Sequence, residues 1–472
     1  LEQEVLRQNG IASYHAGARF GPTADVPAVV PPPPPSTGRR RGAQPGHRGH
    51  GRKLPDTLPT RVENHELPPH EARCPCCGRP YEATAVWDES SEVDVGEPYV
   101  VIRHRRRRYS RLCRCPGPRF LAAAPPMKLI AKGKFSIDFW VRVLLDKYLQ
   151  LLPLERQAKA MSWAGLPVST GTLVGGLRVL SEKLKPLYDL MGLLLKNESH
   201  WHADETNWRV LLVKDKKWYL WVFVSPRMVF FVVASNKSAE IPQAVLGPHA
   251  RGIVSADRWG AYKALRPRIL VAFCWAHVRR DFIKLQKQYP HMKNVVHWAQ
   301  TWIDAIGLLY KLNDARVACR LGSSQFQAHQ RRLQIHLGRM RSRAQRDCRL
   351  NMKAQAKVME SLLRHWDGLL LFVRYPFLPL DNNAAERAHR TPVLGRKNFY
   401  GSQAHWSAQH ADMAFSISQT ALLHGLNPSA YLRHYLQLCA VNGGQPPKDL
   451  RSCLPWAIKE AMPQLRLDRG PP

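Results

Sequence analysis

Acidic residues are scarce in this chain: 36 Asp and Glu stand against 70 Lys and Arg among 472 residues, for a formal net charge of +34. That imbalance disfavours basic partners and favours a polyanion, of which nucleic acid is the commonest for a cytosolic protein. Long hydrophobic runs are lacking too. No stretch approaches the roughly 18–20 apolar residues that span a bilayer, and the longest, such as VFFVVA at 229–234, are strand-sized. No signal-peptide pattern opens the chain and no internal repeat runs through it. A cytoplasmic, nucleoid-associated protein without a membrane partner is expected.

Cysteine is too unevenly placed for a disulfide framework. Five of the ten cluster at 74–77 and 113–115 while five scatter singly, which fits metal binding in a reducing compartment. Apolar residues make up 44% of the chain and Trp numbers 14, enough for packed cores. The length calls for three or four domains. The opening stub, Leu1–Gln8, reads as the tail of a helix, so a further N-terminal piece is expected before it.

Residues 1–60 read as a Pro-rich disordered linker, ending its first part in Pro31–Pro35, followed by a flexible basic Gly/Arg segment. Within that segment Arg39, Arg40 and Arg41 can track phosphates without a fixed shape. Residues 61–125 form a small Cys-bearing module. Residues 126–195 have helical apolar spacing, and 153–177 reads as helix, Gly-Leu-Pro turn, helix, with Ser169 or Thr170 capping the second. That is the outline of a helix-turn-helix, although any helical hairpin looks similar.

The character then changes. Runs at 200–213, 217–225 and 228–235 read as an antiparallel meander, with further strands at 251–257 and 268–274. CWAHVRRDFIKL (274–285) turns helical, 286–375 is a helical insertion, and DNNAAERAHR (381–390) resumes as a helix expected to stop at Pro392 and Gly395. A last helical stretch covers 405–440, inside a region whose final part, 426–472, is a C-terminal tail.

Three polar phrases carry the chemistry: HADET, SADRWGAY and DNNAAERAHR hold Asp204, Asp257 and Glu386. Three strands, a fourth parallel to the first, and a helix bearing a late acid make the pattern of a ribonuclease-H-like α/β core, formed by 196–285 and 376–425. In that arrangement the middle of the first strand lies beside the end of the fourth, and a helix packed across supplies Glu386. Phosphoryl transfer needs such a set because two Mg²⁺ ions, about 3.5–4 Å apart, clamp the attacking and leaving oxygens. Hard oxygen ligands suit Mg²⁺ or Mn²⁺. Singly, Asp204 has an alternative partner in Arg209, Asp257 in Arg258, and Glu386 in Arg390 at i+4.

Asn382 and Asn383 precede Glu386 by four and three residues, so they share its face and can bond its carboxylate or a metal water. Asp381 reads as the N-cap. Glu205 should point to the other sheet face. Arg279, Arg280, Arg396 and Lys397 are expected to contact phosphates, the last two from a loop opened by Pro392 and Gly395. Cys274 and His277 form a C-x-x-H pair that cannot close a tetrahedral zinc site alone, which favours a packing or DNA-contact role.

In the small module, Cys74 and Cys77 form a C-x-x-C knuckle with Gly78 for its turn, and Cys113 and Cys115 follow as C-x-C. These four are expected to ligate a structural Zn²⁺, with Cys76 spare. Between the knuckles Arg105, Arg106, Arg107 and Arg108 lead a run of eight arginines at 101–119 without an acid. That run is suited to phosphate contact and to reading bases.

HADET, SADRWGAY, CWAHVRRDF, DNNAAERAHR and GRKNFYGS, in that order, resemble the central domain of the insertion sequence 66 family of bacterial transposases. The resemblance continues upstream through AQPGHRGHGR, CPCCG and KYLQLLPLERQ, from residue 39 to about 435; the C-x-C half departs from the family. It implies a DDE-type enzyme whose catalytic acids are Asp204, Asp257 and Glu386, with metal-dependent cleavage at transposon ends and 3′-OH attack on target DNA. It further implies inverted-repeat and target DNA as partners, a homo-oligomer on DNA, and small accessory proteins. Two alternatives stand beside it: a metal-dependent nuclease without strand transfer, and an inactive zinc-containing DNA-binding protein.

Overall fold

The computed structural model describes residues 128–130, 133, 135–213 and 217–467, together with the backbone of two short strands, β1 (Arg108–Ser110) and β2 (Phe120–Ala122), which pair antiparallel. All of these belong to one of the chain's two compact units; the other, Ser13–Ile102, lies outside the described residues. Among the described residues no helix is long and apolar enough to cross a membrane.

Three helices precede the main sheet: α1 (Ile137–Tyr148), α2 (Leu154–Trp163) and α3 (Thr170–Leu195). The Ser169 hydroxyl accepts the Thr172 N–H at 3.1 Å and starts α3 where the sequence placed a cap. One stripe of α3, from Leu173 through Leu180 and Leu187 to Leu195, is buried along all seven turns. Helices α2 and α3 thus follow one another across a short turn, the second committed on one face to the core.

The main sheet has five strands: β3 (His200–Trp208), β4 (Trp218–Val224), β5 (Val229–Ala234), β6 (Gly252–Ala256) and β7 (Ile269–Phe273). Their order is β5-β4-β3-β6-β7. The first three form an antiparallel meander, while β6 runs parallel to β3 and β7 parallel to β6. The strands fall on the β-branched and aromatic runs of the sequence, because those side chains fill a pleated surface buried on both faces. Trp201, Trp221, Phe223 and Phe231 are fully buried there.

The chain then forms α4 (Glu240–Leu246) and α5 (Gly260–Lys263) around β6, and α6 (Trp275–Gln288) after β7. Next come the helices α7 (Lys293–Val317), α8 (Ser324–Asp347) and α9 (Lys353–Arg364), with two single turns, α10 (Trp366–Leu369) and α11 (Leu371–Arg374). Three longer helices follow: α12 (Asn383–Phe399), α13 (His405–Leu423) and α14 (Pro428–Val441), then α15 (Pro455–Ala461). The expected single stretch over 405–440 is thus broken. Asn427 accepts the N–H groups of Ser429 and Ala430 and restarts the chain as α14.

Strand β5 is an edge, and α13 lies along it. The outward N–H groups of Val229, Phe231 and Val233 donate to Thr420 Oγ1 at 3.0 Å, Ser416 Oγ at 2.8 Å and Asp412 Oδ2 at 3.0 Å. Residues four apart on a helix share one face, and alternate N–H groups on a strand face one side. The two periods meet here, so three polar side chains satisfy an edge that would otherwise be unpaired.

Helix α12 overturns one sequence expectation. It does not stop at Pro392 and Gly395 but runs on to Phe399. Pro392 has no N–H to offer the Ala388 carbonyl, and Gln419 of α13 donates its side-chain amide to that oxygen instead, at 3.1 Å. Gly395 is a close-approach residue: a Cβ there would stand 2.7 Å from the Phe399 ring and 3.2 Å from Leu151. Tertiary partners replace what the local signals removed.

Replacing Ser416 by Ala leaves the buried Phe231 N–H without an acceptor, which should lower unfolding free energy by about 1–3 kcal/mol in urea denaturation. Asp412 gives a pH-dependent test. Its Oδ1 has no hydrogen-bond partner, and burial holds its carboxyl well above the usual range. A raised folded pKa means stability present at low pH and lost as pH rises through that pKa. Asp412→Asn should therefore gain stability relative to the parent between pH 5 and pH 8, measured by denaturation at both; a constant difference would refute the burial argument.

Candidate functional site

The register of β3 against β6 pairs His202 with Ser255. Two residues further along both strands stand Asp204, on β3, and Asp257, one residue past β6. The pairing itself ends at His202 and Ser255, and beyond it the two carboxylates interact through their charges. A bond between His200 Nε2 and Ser255 Oγ, 2.9 Å, ties the two strands upstream.

Helix α12 brings the third acid. Its N-cap residue, Asn382, is fully buried. The Asn382 amide Nδ2 donates to the Ala203 carbonyl at 2.8 Å, and its Oδ1 lies 3.0 Å from His202 Nδ1. Because Nδ2 is spent on Ala203, Oδ1 faces the ring, and His202 Nδ1 carries the hydrogen. The Asn382 N–H donates to Cys274 Sγ at 3.3 Å, and the Trp275 N–H donates to the Leu380 carbonyl. These bonds lock the start of α12 onto β3 and α6, and Glu386 follows one turn later. His389, one turn further, packs edge-on to Phe231 at 5.9 Å.

Two expectations change here. Asn382 spends its side chain on β3 rather than on the Glu386 carboxylate. Asp381 is not the N-cap but accepts the Asn383 N–H at 3.1 Å just before the helix. The buried Asn382 amide has donor and acceptor together, and so satisfies both the Ala203 carbonyl and the His202 ring.

The acids interact electrically. Burial first, then the charges of Glu205, Glu386 and Asp257, holds the Asp204 carboxyl well above its usual range. Asp204 is partly accessible to water yet densely surrounded, so desolvation still leads. Burial likewise raises Glu386, although Arg280 counteracts it. Glu386 Oε1 is buried and has no hydrogen-bond partner; Arg280 stands 3.6 Å and His277 3.7 Å away, beyond hydrogen-bonding reach. Burial, with Arg280 and Arg258 nearby, lowers His277 to about 3, so the His277 contact is not an ion pair at neutral pH.

The alternative partners do not take up the acids. Arg258 pairs with Asp281 and donates to Ser361 Oγ at 3.0 Å rather than turning to Asp257. Glu386 meets Arg280, from α6, in place of Arg390. Asp257 Oδ1 accepts the Trp259 N–H at 2.9 Å.

Hard oxygen donors, mutual repulsion and an orphaned buried oxygen are what a divalent cation would relieve, so the donor set fits Mg²⁺ or Mn²⁺ in kind. As arranged, the described residues contain no group of three His, Cys, Asp or Glu side chains assembled to hold a metal ion.

Sequence reasoning missed a second layer. Glu205, on the opposite face of β3 as expected, is held by Lys237 Nζ and the Tyr262 hydroxyl, each at 2.6 Å. Burial alone would lower the Lys237 pKa, but Glu205, Asp257 and Asp204 together raise it. The phrase SADRWGAY contained the signal for Tyr262, five residues after Asp257; nothing local marked Lys237. Cys274 is buried, and that burial pushes its thiol up to about 12.

The expected phosphate contacts divide. Arg280 is turned inward on Glu386 and is only 12% exposed in its side chain, so it does not stand as a surface contact. Its position follows from the helix: three residues after His277, it shares the face toward α12. Arg279 is half-buried. Arg396 and Lys397 lie on the last turn of α12 rather than on a loop, Arg396 donating to Thr206 Oγ1 at 3.3 Å and to the Asn207 carbonyl, while Lys397 is exposed. Arg39, Arg40, Arg41, Arg105, Arg106 and Arg107 lie outside the described residues, as do Cys74, Cys77, Cys113 and Cys115; Arg108 opens β1.

Relatives of the chain include the uncharacterized protein y4jD of Sinorhizobium fredii (strain NBRC 101917 / NGR234), 25% identical over 431 residues, covering 85% of this chain and 81% of the relative. The uncharacterized protein y4hP of the same strain is 25% identical over 423 residues, covering 82% and 74%. No solved structure matches the chain. The family described as transposase IS66 family matches residues 132–410, more than half of the length and a span that takes in Asp204, Asp257 and Glu386; the chain belongs to that family of transposases.

Proposed function

We propose that the chain is a DDE-type DNA transposase, which cleaves DNA at transposon ends in a metal-dependent reaction and joins the freed 3′-OH to target DNA. The charge coupling of Asp204 to Asp257 and Glu386, residues from three distant phrases, is the observation that supports it most. The strand order and the late acidic helix support a ribonuclease-H-like core.

Asp204, Asp257 and Glu386 would hold two Mg²⁺ or Mn²⁺ ions, whose charge would act on the oxygens that attack and leave phosphorus. The chain's own residues prepare that site. Asn382 fixes α12 against β3, which would present Glu386 to the two aspartates. Lys237 and Tyr262 hold Glu205 away from the set, which keeps a fourth carboxylate out of it. Arg280 supplies a fixed positive charge beside Glu386, where a phosphate would bring more negative charge.

The remaining proposals concern recognition. Zinc at Cys74, Cys77, Cys113 and Cys115 would pin a module whose arginines contact inverted-repeat DNA. Multimers bridging two ends, small accessory proteins and association with the nucleoid belong to the same reading.

Labelled end DNA incubated with Mg²⁺ and a target plasmid should yield joined products; simple nicks would instead indicate a nuclease, and binding alone an inactive protein. Asp204→Ala, Asp257→Ala and Glu386→Ala should each lower cleavage by about a thousandfold or more, the scale of several kcal/mol of lost charge stabilisation, with end binding largely intact. Turnover near the parent's in any of them would remove that residue from the site. Cys74→Ser should weaken end binding, because structural zinc supplies folding free energy. Unchanged affinity would discount the zinc.

A further inference from the structure

Beyond Asp204, β3 ends in an open basin of about 910 Å³, within the range of about 300–1,000 Å³ typical of ligand sites. Its wall is built by an unusual junction. Tyr400 takes a left-handed conformation, φ 62°, after the last turn of α12. Gly401 follows at φ 115°, where a Cβ would stand 2.5 Å from the Arg209 carbonyl. Only glycine allows that approach, and it lets Val210 pair with Ser402 as an extension of β3.

The lining has two components. Arg209, Lys217, Arg396 and Lys397 supply positive charge, and none of the described residues lining the basin is acidic. Trp218, Tyr219 and Tyr400 supply rings, Tyr400 being 63% exposed. The Trp218 indole N–H is buried and has no hydrogen-bond partner. Arg396 is braced across the strand end by Thr206 and the Asn207 carbonyl, so its charge is held in place at the wall.

Charge alone would serve any phosphate backbone. Exposed rings favour bases whose faces are open, and in a duplex those faces are stacked and hidden. We propose that the basin binds an unpaired stretch of single-stranded DNA, with cations on its phosphates and one base stacked on Tyr400. Asn207, at the near edge, is three residues past Asp204, about 10 Å along the strand, or about three stacked nucleotides. That spacing relative to the acids rests on the phosphoryl-transfer reading above; the affinity of the basin does not.

The full-length protein is titrated with a fluorescent 12-nucleotide single strand, and with the same sequence as duplex. A strand carrying 5-iododeoxyuridine is then crosslinked by near-ultraviolet light and the attached peptide mapped. Tyr400→Ala should weaken the single strand about tenfold, as expected for loss of one stacked base, with duplex affinity unchanged and Tyr400→Phe close to the parent. Lys217→Ala should reduce the salt slope by about 0.7, the value for one single-strand phosphate. Crosslinks should map to 207–219 or 396–400, and should persist in Asp204→Ala even if that variant cleaves nothing. Crosslinks confined to other segments, an unchanged single-strand affinity in Tyr400→Ala, or an equal loss for duplex would each overturn the proposal. Cleavage retained alongside such a result would leave the acid site standing without the basin.

Discussion

One buried amide holds the site together. Asn382 reaches β3 through the Ala203 carbonyl and the His202 ring, and α6 through the Cys274 sulfur. A fully buried amide left unpaired would be costly, so its two side-chain bonds must form together, and with the backbone N–H bond to Cys274 they admit one docking of α12. The position of Glu386, the inward face of His389 and the packing of α12 on the sheet all follow from that docking. Burial makes the same constraint chemical: the helix that is locked in place carries a carboxylate away from water.

The charge distribution shows a division of labour. Among the described residues most basic side chains stay on exposed positions, as on α8, where Arg331, Arg332, Arg339 and Arg341 face solvent. The acids are gathered inside, at the sheet end, where Asp204 and Glu386 sit above their usual pKa range and Arg280 offsets only part of the cost. A protein gains no stability from such an arrangement. Its retention makes sense where an incoming cation or substrate supplies the missing countercharge, and that is the link between the energetics of the fold and its proposed chemistry.

Neighbouring elements carry strain and satisfaction in matched pairs. The proline in α12 frees a carbonyl, and α13 returns an amide to it. The edge of β5 exposes three N–H groups, and α13 supplies three oxygens. Helix α13 is therefore polar at buried positions such as Asp412, Ser416 and Thr420, which a periodicity argument would read as a poor core helix.

The strands, the acidic phrases and the family were legible in the sequence, because period-two runs and short polar phrases are local signals. The parallel pairing of β3 with β6 could be read from the strand order. The length of α12 could not be read: Pro392 and Gly395 are breakers by local rules, and only contacts with Gln419, Phe399 and Leu151 reverse them. Nor could the inward turn of Arg280, the bracing of Glu205 by Lys237, or the assignment of Asn382 to β3. Those depend on which surfaces meet across the fold, and a side chain's partner is set by proximity in space that no spacing along the chain encodes.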